Sequence, residues 1–272
     1  MTVSACLTTS SRLLHRLLWE ARAAHVVWRR ELLHSVRNPA RLLIALAQPV
    51  VYLLVLGTGF AAMLPIHGGY LTYLFPGVLM MAVQTPAIAI GASIAVDREA
   101  GFLRETLVAP VHRVSLLAGR CAGGSTVATF QGVLVLGLAG PAHIPYAPKL
   151  MIELVAEMAL LAFAMTAFVT LLAVVIAPAP TFHAILGFTL TPMTFLSGAL
   201  FPMGGLPGWL TALMVANPLT YVVDLLRRTI APYLVPQEPT AGHSPILMEL
   251  TVTAAVGLLS LLLAALRLAR PR

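Results

Sequence analysis

Residues 42–96, 121–148, 158–223 and 250–266 contain no Asp, Glu, Lys or Arg, and that emptiness constrains the chain more than any motif in it. A charged side chain at a bilayer centre costs at least about 2.5 to 3.5 kcal/mol. Soluble domains, by contrast, spread charge along their whole length. Only 10% of the 272 residues are charged and 59% are hydrophobic. The tracts therefore belong in lipid or protein interior, and the chain reads as an all-α integral membrane protein.

Cutting the tracts into pieces of about 20 residues, the length that matches a bilayer, gives six spans at 42–63, 73–96, 119–140, 153–176, 181–201 and 247–267. Pro49, Pro76, Pro86 and Pro192 fall inside them. Each frees a carbonyl and permits a kink that neighbouring helices must compensate. Orientation follows from the Lys and Arg count on each side. Fourteen fall on the side that holds both termini and the 97–120 connection, against three (Lys149, Arg227 and Arg228) on the other. Both termini are expected to be cytoplasmic. The net charge of +7 follows from this topology, since no aromatic-studded basic face suggests nucleic acid.

The first 41 residues form a cytoplasmic segment. They carry Arg12, Arg16, Glu20, Arg22, Arg29, Arg30, Glu31, Arg37 and Arg41, which leaves no apolar core for a cleavable signal peptide. Leu14, Leu17, Leu18, Ala21, Ala24, Trp28, Leu32 and Val36 recur at helical spacing, so an amphipathic interface helix is predicted over 12–37. Ser10 or Ser11 caps its start, Asn38-Pro39 stops it, and Trp19 and Trp28 suit the headgroup layer. At the other end, 268–272 is a short cytoplasmic tail.

Two connections between spans are unusual. The first, DREAGFLRETLVAPVHRVSLLAGR from Asp97 to Arg120, rings apolar knobs with charge and is too short to be a domain. Its coupling portion, 97–118, reads as a docking element for an energy-supplying partner, the alternative being a loop merely anchored by arginine. The second begins PMGGLPGWLTALMVANPLTYVVDLLRR at Pro202 and is too apolar for a solvated loop. A helix from Trp209 to Val215, a break at Asn217-Pro218 and a helix from Leu219 to Thr229 suggest an external re-entrant hairpin over 202–231. Its Asp224 and Arg228 stand at i, i+4 spacing.

No segment matches GxxxxGK[ST], and the one lysine, Lys149, falls outside, so ATP hydrolysis by this chain alone is not expected. HExxH, paired CxxC and GxSxG are likewise missing, and the eight histidines are dispersed. Cys6 and Cys121 read as structural thiols. No catalytic residue and no metal site are expected.

The segments YLFPGVLMM, DREAGFLRETLVAPVHR, FTLTPMTFLSGALFP and NPLTYVVDLLRR resemble the ABC-2 type permeases, whose members export drugs, nodulation factors, polysaccharides or teichoic acids. The likeness spans nearly the whole chain, including the RNPARLL approach to span one. It implies a pair of six-span permeases, homodimeric or heterodimeric, in the plasma membrane. Two copies of a separate cytoplasmic ATPase, with ATP and Mg bound there, would drive them. It further implies that Glu99, Gly101, Phe102, Arg104, Glu105, Leu107 and Pro110 dock that ATPase together with the N-terminal helix. The hairpin, matched at Pro202, Pro207, Asn217, Pro218, Asp224 and Arg228, would form an outer gate.

Gln48, Gln84 and Gln131 lie inside predicted spans. They either line a translocation path or make interhelical hydrogen bonds. Glu153 and Glu157, one turn apart, either pair with Arg227 or Arg228 or sit among headgroups. The reading is an exporter permease for a hydrophobic or amphipathic substrate. An ion-coupled secondary transporter is the alternative, and it would call for inverted repeats and midplane charges that the sequence does not display.

Overall fold

A computed structural model describes residues 3–61, 69–99, 112–176, 178–201, 206–234 and 245–269, and every regular element among them is helical. Helix α1 (Val3–Val36) starts well before Ser10, because neither glycine nor proline interrupts the preceding residues. Asn38-Pro39 does end it, and Pro39 opens α2 (Pro39–Val51) at a position where a missing N–H costs nothing. Pro49 then removes a backbone hydrogen bond, and the helix widens into a π turn at Tyr52–Leu56 before tightening again as α3 (Gly57–Ala61).

Helix α4 (Tyr70–Glu99) runs through both Pro76 and Pro86, and α5 (Arg113–Leu136) follows. The 97–118 connection is thus narrower than expected, since Asp97 belongs to the end of α4 and Arg113 to the start of α5. The physical reason is mutual neutralisation: Arg120 pairs with Asp97, so helical backbone extends past the apolar tract on both sides. Next come α6 (Pro148–Val175), α7 (Ala179–Phe195), α8 (Gly208–Ala216), α9 (Pro218–Ile230) and α10 (Ile246–Ala269).

Among the described residues, four segments are long and apolar enough to cross a membrane: Leu42–Phe60, Tyr70–Asp97, Pro148–Val175 and Ile246–Leu268. The pair α8 and α9, bent by 84° and running on to Tyr233, would supply a fifth if it counted as one span. The tracts expected at 119–140 and 181–201 are helical but miss that standard. Gly, Ser and Thr residues and Arg120 dilute α5, and α7 is only 17 residues long.

Helix α4 is the hub, with 78% of its apolar window buried against 17% for Leu42–Phe60 and 22% for α10. It packs on α5 and α6, while α6 also carries α10. Between membrane helices there is little hydrophobic driving force, so close backbone approach has to supply the packing energy. Small residues permit it. A Cβ at Gly124 of α5 would sit 2.7 Å from Thr166 of α6, and one at Gly119 only 2.4 Å from the backbone oxygen of Ala24. The second contact lays α1 directly against α5.

Candidate functional site

The face of α1 that meets α5 is not the purely apolar stripe expected of a surface helix. Glu20, Ala24, Trp28 and Glu31 form it. Trp28 Nε1 donates to Thr126 Oγ1 at 3.1 Å, so this ring is docked on protein while Trp19 stays exposed. Glu31 accepts from Arg120 Nε at 3.2 Å, and the same guanidinium donates through Nη2 to Asp97. The Glu31 and Arg120 side chains are only 8% and 10% exposed, too buried for solvent to screen the pair.

A second tie lies at the residue that immediately precedes α5. The His112 N–H donates to both carboxylate oxygens of Glu20, at 3.0 and 3.1 Å. Donation from the Ser115 hydroxyl, and then from that amide, holds the Glu20 carboxyl below its ordinary range. Residues 100–111 are therefore bracketed by two attachments to α1: Asp97 through Arg120 and Glu31 on one side, His112 through Glu20 on the other. Gly101, Phe102, Arg104, Glu105, Leu107 and Pro110 lie outside the described residues, as does the side chain of Glu99.

Of the three glutamines, two come together. Gln48 of α2 and Gln84 of α4 line an open groove of about 350 Å³ whose far wall is α7, with Tyr52, His183, Thr191 and Thr194 around them. Gln84 Nε2 donates to Thr194 Oγ1 at 3.1 Å, so it is both interhelical glue and groove lining. Gln131 is not among the residues that line this groove. It is 0% exposed on α5 and its amide has no hydrogen-bond partner among the described residues.

At the other end of α4 the bent pair is stitched down. Asn217 caps α9, its side chain accepting from the Leu219 N–H at 3.1 Å and donating to the Met193 carbonyl at 2.6 Å. Pro218 follows as the first residue of α9, where it needs no donor. The expected i, i+4 pair of Asp224 with Arg228 is not formed. Asp224 pairs instead with Arg227, at 3.4 Å, and Arg228 reaches α10, where Glu249 is fully buried 3.4 Å away. Arg227 also donates to the Gly198 carbonyl at 3.0 Å and lies 4.3 Å over the Tyr73 ring. Gly198, at φ 73°, occupies a conformation that suits glycine, and Tyr73 OH donates to the same carbonyl at 2.9 Å.

Neither acidic residue of α6 pairs with these arginines. Glu153 sits near Lys149 at 3.9 Å, and Glu157 accepts from Thr229 Oγ1. Sequence reasoning missed Glu31, Tyr73, Thr229 and Glu249 as functional candidates. The available signal was lone polar or acidic groups beside apolar runs, which gives no partner without the fold. Pro202 lies outside the described residues, while Pro207 immediately precedes α8.

The family model described as ABC-2 type transporter matches residues 22–231, all the elements above except the start of α1 and α10. Among curated proteins, the ycf38 protein of Cyanophora paradoxa is 27% identical over 209 residues, 74% of this chain and 72% of its own length. Nodulation protein J of Rhizobium leguminosarum bv. viciae is 29% identical over 215 residues, 75% of this chain and 80% of that protein. The inner membrane transport permease YadH of Escherichia coli K12 is 28% identical over 163 residues, 59% and 63% of the two chains.

Proposed function

The chain belongs to the ABC-2 type transporter family, and on that premise we propose that it is the membrane subunit of an ATP-driven exporter. A separate ATPase, holding ATP and Mg, supplies the energy. The observation that carries this reading is the double attachment of the 100–111 segment to α1, through Glu31, Arg120 and Asp97 and through Glu20 and His112. In this reading a load from the cytoplasm reaches the bundle through the flanking residues Asp97 and His112. It moves α1, the end of α4 and the start of α5 together, and α4 carries Gln84 into the polar groove.

The groove is half a pathway. It opens between α2 and α7, and Ile44 of α2, Leu54 and Val55 of the π turn and Phe188 of α7 are exposed beside it, so a second permease, identical or related, would close it. Such a compartment, apolar with a few amides and hydroxyls, suits a hydrophobic or amphipathic substrate such as a drug, a lipid or a lipid-linked glycan. We take α5 and α7 as spans alongside the four apolar segments, which gives six, cytoplasmic termini and α8–α9 as an outer gate. In this scheme ATPase closure carries the dimer from inward-open to outward-open.

The test is reconstitution with and without a partner ABC ATPase subunit. Uphill transport should require that subunit and hydrolysable nucleotide. Transport by the permease alone on an ion gradient would establish the secondary-transporter reading instead.

A further inference from the structure

Between α1 and the ends of α4 and α5 lies a second cavity of about 550 Å³, separate from the groove. Four arginines (Arg29, Arg30, Arg37 and Arg120) and two carboxylates (Glu31 and Asp97) border it, leaving two positive charges in excess. Arg120 is consumed by the two carboxylates and Arg30 is already engaged. Among the described residues, Arg29 and Arg37 have no acidic partner. Buried ion pairing thus explains the floor of the cavity and leaves its rim unexplained.

We propose that this cavity binds the phosphate of an anionic phospholipid headgroup, with Arg29 and Arg37 as the ligating side chains. Three observations favour a lipid. Val26, Arg29, Leu33 and Arg37 follow one another along a single helical stripe, and Val26 and Leu33 are 66% and 43% exposed, so apolar and cationic groups alternate as acyl chain and phosphate require. Arg37 stands five residues before Leu42, where the first apolar segment begins, which puts the cationic rim at headgroup depth. The floor is made by Ser93 and Asp97 in the last two turns of α4 and by Arg120 two turns into α5, so it lies between helices next to the apolar tracts. Basic pockets of this kind at membrane edges recognise headgroups by charge.

The experiment supplies phosphatidylglycerol and phosphatidylcholine in equal amounts to detergent-purified full-length protein and measures the retained lipids by mass spectrometry. Phosphatidylglycerol should be enriched several-fold on the wild-type protein. Each of Arg29→Gln and Arg37→Gln should reduce that enrichment about fivefold, while Arg29→Lys with Arg37→Lys preserves most of it. Both arginines are exposed, so gel filtration should be unchanged. Equal enrichment in the wild-type and double glutamine proteins would overturn the proposal. So would displacement of the lipid by inorganic phosphate alone, which would assign the site to a soluble anion. Loss of ATPase co-purification in the glutamine variants with lipid retention intact would also overturn it, assigning the arginines to a protein interface.

Discussion

Arg120 shows how one side chain can decide a local structure. It satisfies Glu31 of α1 and Asp97 of α4 from within α5, and removing it would leave Glu31 buried without its cation, beside a partly exposed Asp97. Breaking one partner of a buried pair typically costs about 3–5 kcal/mol. Arg120→Ala is expected to destabilise the protein by that order, read from unfolding in detergent. Adding Glu31→Met should recover part of the loss by removing the buried charge left stranded. Glu20 makes a weaker, exposed tie whose pH dependence has a definite sign. Its folded-state value is depressed by Ser115 and the His112 N–H, so the contribution is complete above the ordinary carboxylate range and disappears as pH falls through the lowered value. Amide exchange at His112 should accelerate over that acidic interval, and Glu20→Gln should show fast exchange already at neutral pH.

At the scale of elements, α1 is the helix whose role changes most between sequence and structure. Its apolar periodicity describes an interface helix, yet the face used against α5 is built from small and polar groups. Ala24 admits Gly119, Trp28 reaches Thr126, and Glu31 reaches Arg120. Larger apolar residues such as Leu18, Val26 and Val36 are left exposed, available to lipid. Gly119→Val should therefore separate α1 from α5, because its Cβ would collide with the Ala24 backbone and no rotamer relieves a backbone clash. With Trp19 and Trp209 replaced by Phe, the fluorescence of Trp28 should shift to the red once Gly119→Val is added, as the ring leaves Thr126. The breaks around α8 and α9 were easier to read. Gly208, Asn217 and Pro218 mark them in the sequence, and the helices fall at Gly208–Ala216 and Pro218–Ile230.

Across the whole molecule, the attachments of the 100–111 segment and the groove share α4, and the exporter mechanism predicts that they are coupled. Phe102→Asp or Glu105→Arg should weaken ATPase association, measured by co-purification, while membrane insertion stays intact. Gln84→Leu should leave assembly unchanged and alter transport, because among the described residues the Gln84 side-chain hydrogen bonds run to Thr194 at the groove wall.

The charge-free tracts, the proline stops and the spacing of apolar residues were enough to establish a multi-pass helical membrane protein and to place most helix boundaries within a few residues. Those properties depend on local backbone chemistry and on the cost of charge in lipid, both of which are carried by consecutive residues. Pairings are a different matter. Glu31 found Arg120 across 89 positions, Glu157 found Thr229 across 72, and Gln131 turned inward while Gln48 and Gln84 met. Periodicity fixes which face of a helix a residue occupies. Which neighbour that face meets depends on how the helices pack, and only the tertiary structure sets that.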